Sequence, residues 1–247
     1  MHRLVVFACS AADREPLADS LVEHLGLTRT DAAVQARLAP GVIRGEFPEA
    51  QAHAAAAAIQ QLGLQARALP STEVPVLHPL ERFHHLRWPE TGLEIRDATG
   101  TDWETIPWTS LDLVSVGQVP LDSVRHVVAR STTLVSTGRH QTTEAESSAP
   151  HSPGLELLLV CRDPFRVLRL EHLHLNYEFL GDRRTSGSAE NFRLLITDLL
   201  VRAPHAFRTP ATQAWLSGES TAAYHFDSPT ALERSTQLNL LIHRLRG

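Results

Sequence analysis

Apolar residues run without a break from Leu4 to Cys9, bounded by polar positions, as in a central strand. From Ala12 to Gly26 the spacing changes. Leu17, Leu21, Val22 and Leu25 fall on one face of a helix, with Asp13, Glu15 and Pro16 as first-turn residues and Gly26 as the stop. Thr30 to Leu38 fits a second helix, broken by Pro40-Gly41, and Val42-Ile43 a short strand. A third helix runs from Pro48 to Leu62 before Gly63, and its interior from His53 to Ile59 is mostly alanine, the best helix former. Leu64, Ala66 and Ala68 then alternate with Gln65 and Arg67 up to Leu69, the period of a strand. Residues 1–70 therefore read β-α-α-β-α-β.

Pro70, Pro75 and Pro79 mark residues 71–87 as a linker. Beyond it the pattern turns β-rich. Leu93 and Ile95 alternate, Asp97-Ala98-Thr99-Gly100 supplies a turn, and strands are expected around Ile106, over Leu111 to Val119 and over Val124 to Ala129. Residues 136–153, rich in Ser, Thr, Pro and Glu, read as a mobile loop. Leu155 to Cys161 and Phe165 to Leu170 form two more strands around Arg162-Asp163-Pro164, and His172 to Phe179 extends the sheet. Ser188 is placed as the N-cap of a helix with Phe192, Leu195, Ile196, Leu199 and Leu200 on one face. A short helix over Pro210 to Leu216 and a last one from Ser228-Pro229 to Leu245 complete residues 88–247. The fold class is α+β.

Two resemblances bear on this layout. Gly26-Leu27, Ala39-Pro40, Val42-Ile43, the helix from Pro48 and Leu62-Gly63-Leu64-Gln65-Ala66 resemble the C-terminal domain of the bacterial large-subunit ribosomal stalk protein. That family meets translation factors through lysines on its first two helices. Here those helices carry Asp13, Glu15, Asp19, Glu23 and Asp31 against Arg14, Arg29 and Arg37, so the resemblance implies a fold and not that partner. Gly92-Leu93-Glu94-Ile95, Ile106-Pro107-Trp108 and Leu113-Val114-Ser115-Val116-Gly117 are similar to the opening strands of bacterial pleckstrin-homology-like domains. That likeness implies a mainly antiparallel domain closed by C-terminal helices, and no particular ligand.

Composition removes several chemistries. All 23 basic residues are arginine, so there is no phosphate-loop, Schiff-base or kinase lysine. A net charge of −5 argues against a nucleic-acid partner. No apolar run reaches the roughly 20 residues of a membrane span. Cys9 and Cys161 stand far apart, which gives neither a disulfide framework nor a thiolate zinc site and points to a cytoplasmic protein.

Few residues carry candidate chemistry. His172 and His174, two apart on an expected strand with Glu171 beside them, have metal-ligand spacing but no further ligands, so no metal is assigned. His78, His84, His85 and Glu81 read as a solvated patch, as do Arg139, His140, Glu144 and Glu146. Asp102, Glu104, Asp112 and Asp122 receive no role. Arg183 and Arg184, just before the helix opening near Ser188, are the candidate ligand-binding residues, because arginines at a helix N-terminus suit an anion. With no nucleophile, metalloprotease or dinucleotide motif, no catalytic residue and no cofactor are assigned. The expected function is a non-catalytic binding or adaptor protein, more an adaptor than an enzyme, whose partner is a protein or a small anionic ligand. The alternative is an enzyme of unrecognised type with a site around residues 172–193.

Overall fold

The computed structural model describes residues 1–96, 100–120, 127–134, 140–147 and 153–246. The chain is α+β. Strand β1 (His2–Val6), helices α1 (Arg14–Leu25) and α2 (Arg29–Leu38), strand β2 (Gly41–Val42), helix α3 (Glu49–Gln61) and strand β3 (Ala66–Pro70) follow in the expected order. The sheet is antiparallel, β2-β1-β3, with Val5 opposite Val42 and Leu4 opposite Ala68. Helix ends have local causes. Gly26 takes φ 66° and returns its N–H to Val22 O, while the Thr28 hydroxyl accepts from the Asp31 N–H at 3.1 Å.

Side-chain alternation gives this small sheet two apolar faces. Leu4 and Val6 bury against Leu17, Leu21, Ala52, Ala55 and Ile59 from the helices. Val5 and Leu69 point the other way and pack on Val74, Leu238 and Leu241. The last two belong to α6 (Pro229–Arg246), so the final helix covers the back of the first strand.

Residues 71–87 are not a free linker. Val74 and Leu77 are buried, Gln237 Nε2 donates to Pro75 O at 2.7 Å, and the segment contributes β4 (Leu80–Arg82) and β5 (His85–Arg87). β5 pairs with β6 (Gly92–Arg96), which pairs with β7 (Glu104–Pro107). The main sheet has the order β13-β8-β11-β12-β4, from β8 (Leu111–Pro120), β11 (Pro153–Cys161), β12 (Arg166–Glu171) and β13 (Phe207–Arg208). Its centre is antiparallel, but both edges, β4 on β12 and β13 on β8, are parallel. Both faces are covered, which explains the uninterrupted apolar run of β11. Val114, Val116, Leu157, Leu159 and Leu168 meet α4 (Ser188–Arg202) through Phe192, Leu195 and Leu199. Leu113, Leu158, Val160 and Val167 meet Leu232 and Leu240 of α6. Helix α5 (Pro210–Ser217) is tied to β8 by Thr212, whose hydroxyl accepts from Val116 N–H at 2.8 Å and donates to Val114 O at 3.0 Å.

Three further expectations are corrected. Within the proposed loop over 136–153, residues His140–Ser147 form β10, paired in register with β9 (Val127–Leu134). Residues 135–139 and 148–152 lie outside the described residues, as do the Asp97–Thr99 part of the expected turn and residues 121–126. The sheet does not extend through His172 to Phe179. β12 ends at Glu171, a turn follows, and Glu178–Arg183 are 3₁₀-helical. Ser188 is the first residue of α4, and Gly187 is its N-cap. The side chain of Asn191 turns back instead, accepting from Thr185 N–H at 2.7 Å and donating to Thr185 O at 2.8 Å.

Candidate functional site

Helices α1 and α3 lie side by side on the small sheet, and between them runs an open groove of about 750 Å³. Its floor is Ala54, Ala57 and Ala58, and its wall on α1 is Glu15, Asp19 and Glu23. The helical repeat produces both features. Glu15, Asp19 and Glu23 are four residues apart and form one stripe, while Leu17, Leu21 and Leu25 face inward. On α3 the inward stripe is Ala52, Ala55, Ala56 and Ile59, which leaves Ala54 and Ala57 exposed. Exposed alanine offers apolar surface with no bulk, so a partner backbone can approach closely. Ser20 also lines the groove. It is 8% exposed, and its Oγ has no hydrogen-bond partner among the described residues. Asp19 is paired with Arg29 at 3.1 Å. Glu15 has no ion-pair partner among the described residues, and the groove keeps a negative wall.

Of the two arginines expected to bind an anion, Arg183 ends the 3₁₀ segment before α4 and Arg184 follows it. The guanidinium of Arg183 grips the Asp198 carboxylate through two nitrogens, one at 2.9 Å. Arg184 is exposed and joins the preceding turn through its N–H to Gly181 O.

The histidines disperse as well. His172 is buried beside Phe192, and its Nδ1 lies 2.9 Å from Leu155 N and 3.2 Å from Leu155 O. Burial depresses its pKa, although the hydrogen bond to Leu155 O opposes the shift. His174 is exposed, with Nδ1 2.7 Å from Glu171 Oε2. β12 ends at Glu171, so the strand expected to align the two rings stops before them. His78 lies 3.2 Å from Glu233, and Glu81 is held by Arg166. His84 Nδ1 is 2.9 Å from His174 O. Glu104 also pairs with Arg166, and buried Asp112 with Arg162 at 2.6 Å and Arg244 at 3.2 Å. Burial opposes the Asp112 charge, but those two hydrogen bonds outweigh it and hold its carboxyl below the ordinary range. Arg139 and Asp122 lie outside the described residues, as do the side chains of His140, Glu144 and Glu146.

A second, smaller pocket of about 290 Å³ adjoins residues 172–193, lined by His85, Arg87, Arg96, Trp103, Asn176 and Glu178 among others. Arg87 and Arg96 both stack on the Trp103 ring, at 3.8 and 4.7 Å from its centre.

The acids of α1 were visible in the sequence as a charge count. Their alignment with an alanine floor was not, because an alanine run reads equally as packing surface. No family model, curated protein or solved structure matches the chain. The stalk-like and pleckstrin-homology-like resemblances therefore rest on the sequence alone.

Proposed function

We propose that this protein is a non-catalytic binding module whose α1–α3 groove docks a basic amphipathic helix of a partner protein. The observation that carries this reading is the alanine floor walled by Glu15, Asp19 and Glu23. The groove is too open to enclose a small substrate. Its low floor suits a helix laid lengthwise, with apolar anchors down and arginine or lysine against the acids. The unpartnered Ser20 hydroxyl supplies a hydrogen-bonding point in the wall. A displayed library of helical peptides selected on the wild-type protein tests this, with counter-selection on Ala57→Arg, which fills the floor and sets a positive charge opposite the acidic wall. Enrichment of apolar-striped, basic helices that lose the variant is the expected result. Enrichment of acidic or unpatterned peptides, or equal retention by the variant, would refute it.

The alternative, an enzyme with a site around residues 172–193, is favoured by the pocket holding His85, Glu178 and the stacked Arg87 and Arg96. Within it, the arginines suit an anionic substrate.

A further inference from the structure

His2, Glu49 and His53 are distant in sequence, but the fold brings them together at one edge of the first sheet. Backbone pairing does the positioning. His2 N–H donates to Phe47 O at 2.9 Å, and Phe47 N–H returns a bond to His2 O at 2.8 Å. Pro48 then caps α3, so Glu49 is its first residue and His53 stands one turn later on the same side. One ligand atom from each of the three side chains lies within 4.8 Å of the others. The rings of His2 and His53 have centres 5.6 Å apart. A second observation is independent of this spacing. Nδ1 of His2 is enclosed and has no hydrogen-bond partner among the described residues. An enclosed imidazole nitrogen without a donor or acceptor is costly, and a bound ligand relieves that cost.

We propose that His2, Glu49 and His53 form a binding site for one divalent transition cation of the zinc class, with water in the remaining coordination positions. Two imidazoles and a carboxylate are a recognised zinc donor set. Bond lengths of about 2.0–2.1 Å place tetrahedral ligand atoms about 3.3 Å apart, so each side chain closes by less than about 1 Å. Softer thiolate-seeking ions have no donor here, and oxygen-seeking calcium or magnesium would meet only one carboxylate. Glu49 and His53 are exposed, so the cation has an open path to the site. When bound, it ties the first strand to the start of α3. This proposal does not depend on the groove reading, since none of its residues lines the groove.

Titration of the 247-residue chain with Co²⁺, followed by visible absorption and competed with Zn²⁺, tests the site. The expected result is one ion per chain and a melting temperature that rises with metal concentration. His53→Ala and Glu49→Gln, both at exposed positions, should each weaken binding at least about tenfold. His174→Ala serves as the control and should bind as the wild type does. Circular dichroism of metal-free variants confirms that both are folded. Unchanged binding in His53→Ala and Glu49→Gln, or no stoichiometric uptake by the wild type, would overturn the assignment.

Discussion

Leu241→Ala tests how the last helix holds the molecule together. Leu241 is 1% exposed and shares an apolar cluster with Val5, Leu69, Val74 and Leu238. Truncation removes three carbons from a site walled by strands and a helix on a rigid scaffold, where collapse is limited. Buried leucine-to-alanine changes cost about 2–5 kcal/mol. The cost has a particular distribution here. The cluster joins the back of the β2-β1-β3 sheet to α6, whose Leu232 and Leu240 pack on the main sheet. If that cluster couples the two halves, they unfold as one unit. Urea denaturation read by two probes decides this. The tryptophans, Trp88, Trp103, Trp108 and Trp215, all lie beyond residue 87, so their fluorescence reports the second half, whereas far-ultraviolet circular dichroism reports the helices of both. The two curves should coincide in the wild type. In Leu241→Ala both should move by an amount equivalent to about 2–5 kcal/mol. A loss below about 1 kcal/mol would refute the reasoning, as would a separate N-terminal transition in the wild type that the substitution leaves untouched.

Other expectations follow from single contacts. A Cβ at Gly117 would sit 2.6 Å from the Phe226 ring and 2.8 Å from Leu232, so Gly117→Ala should lower stability by about 1–3 kcal/mol in chemical denaturation. Thr212→Val keeps the shape but leaves the Val116 N–H unbonded inside the core, and should lower stability by about 1–3 kcal/mol in the same assay. His172 is neutral when folded and has a pKa below its ordinary 6.5, so the unfolded chain takes up its proton first and stability falls as pH drops from 6.5 toward the folded value. His172→Gln should flatten that part of a stability-against-pH curve, and an unchanged slope would contradict it. Asp112 has a lowered pKa, so its contribution is complete above the ordinary carboxylate range and is lost as pH falls through its folded value. Asp112→Asn should therefore make acid unfolding less steep, measured by circular dichroism below pH 4 (about the ordinary aspartate value).

The first seventy residues were legible because their signals are local. Leu17, Leu21 and Leu25 announce α1, Gly26 ends it, and the alternation of Ala66 and Ala68 with Arg67 places β3 on the correct face. The β11–β12 turn was legible for the same reason. Other features depend on partners far along the chain. β4 exists because it pairs with β12 in parallel, more than eighty residues later, and Leu80-Glu81-Arg82 carries no periodic mark of that. Val74 looked like a linker residue because its cover, Leu238 and Leu241, comes from the last helix. His172 and His174 misled because their spacing suits a strand, whereas β12 stops at Glu171. At the groove, charge was readable from Glu15, Asp19 and Glu23, but their alanine floor depends on how α3 is rotated. His2, Glu49 and His53 are brought together by the bridge between His2 and Phe47, which no local pattern encodes.

The union of β1 with α6 has a consequence for biosynthesis. The first strand leaves the ribosome early, and its inner face can close at once on α1 and α3. Its outer face, with Val5 and Leu69, has to wait for residues 229–246. At about 5–20 residues per second that interval is roughly 10–30 seconds. During it the nascent chain carries an unshielded apolar sheet surface, which a holding chaperone could occupy and which newly made neighbours on the same messenger could bind. Release from that state then depends on α6 docking, so emergence of residues 229–246 completes the folding of the β2-β1-β3 sheet.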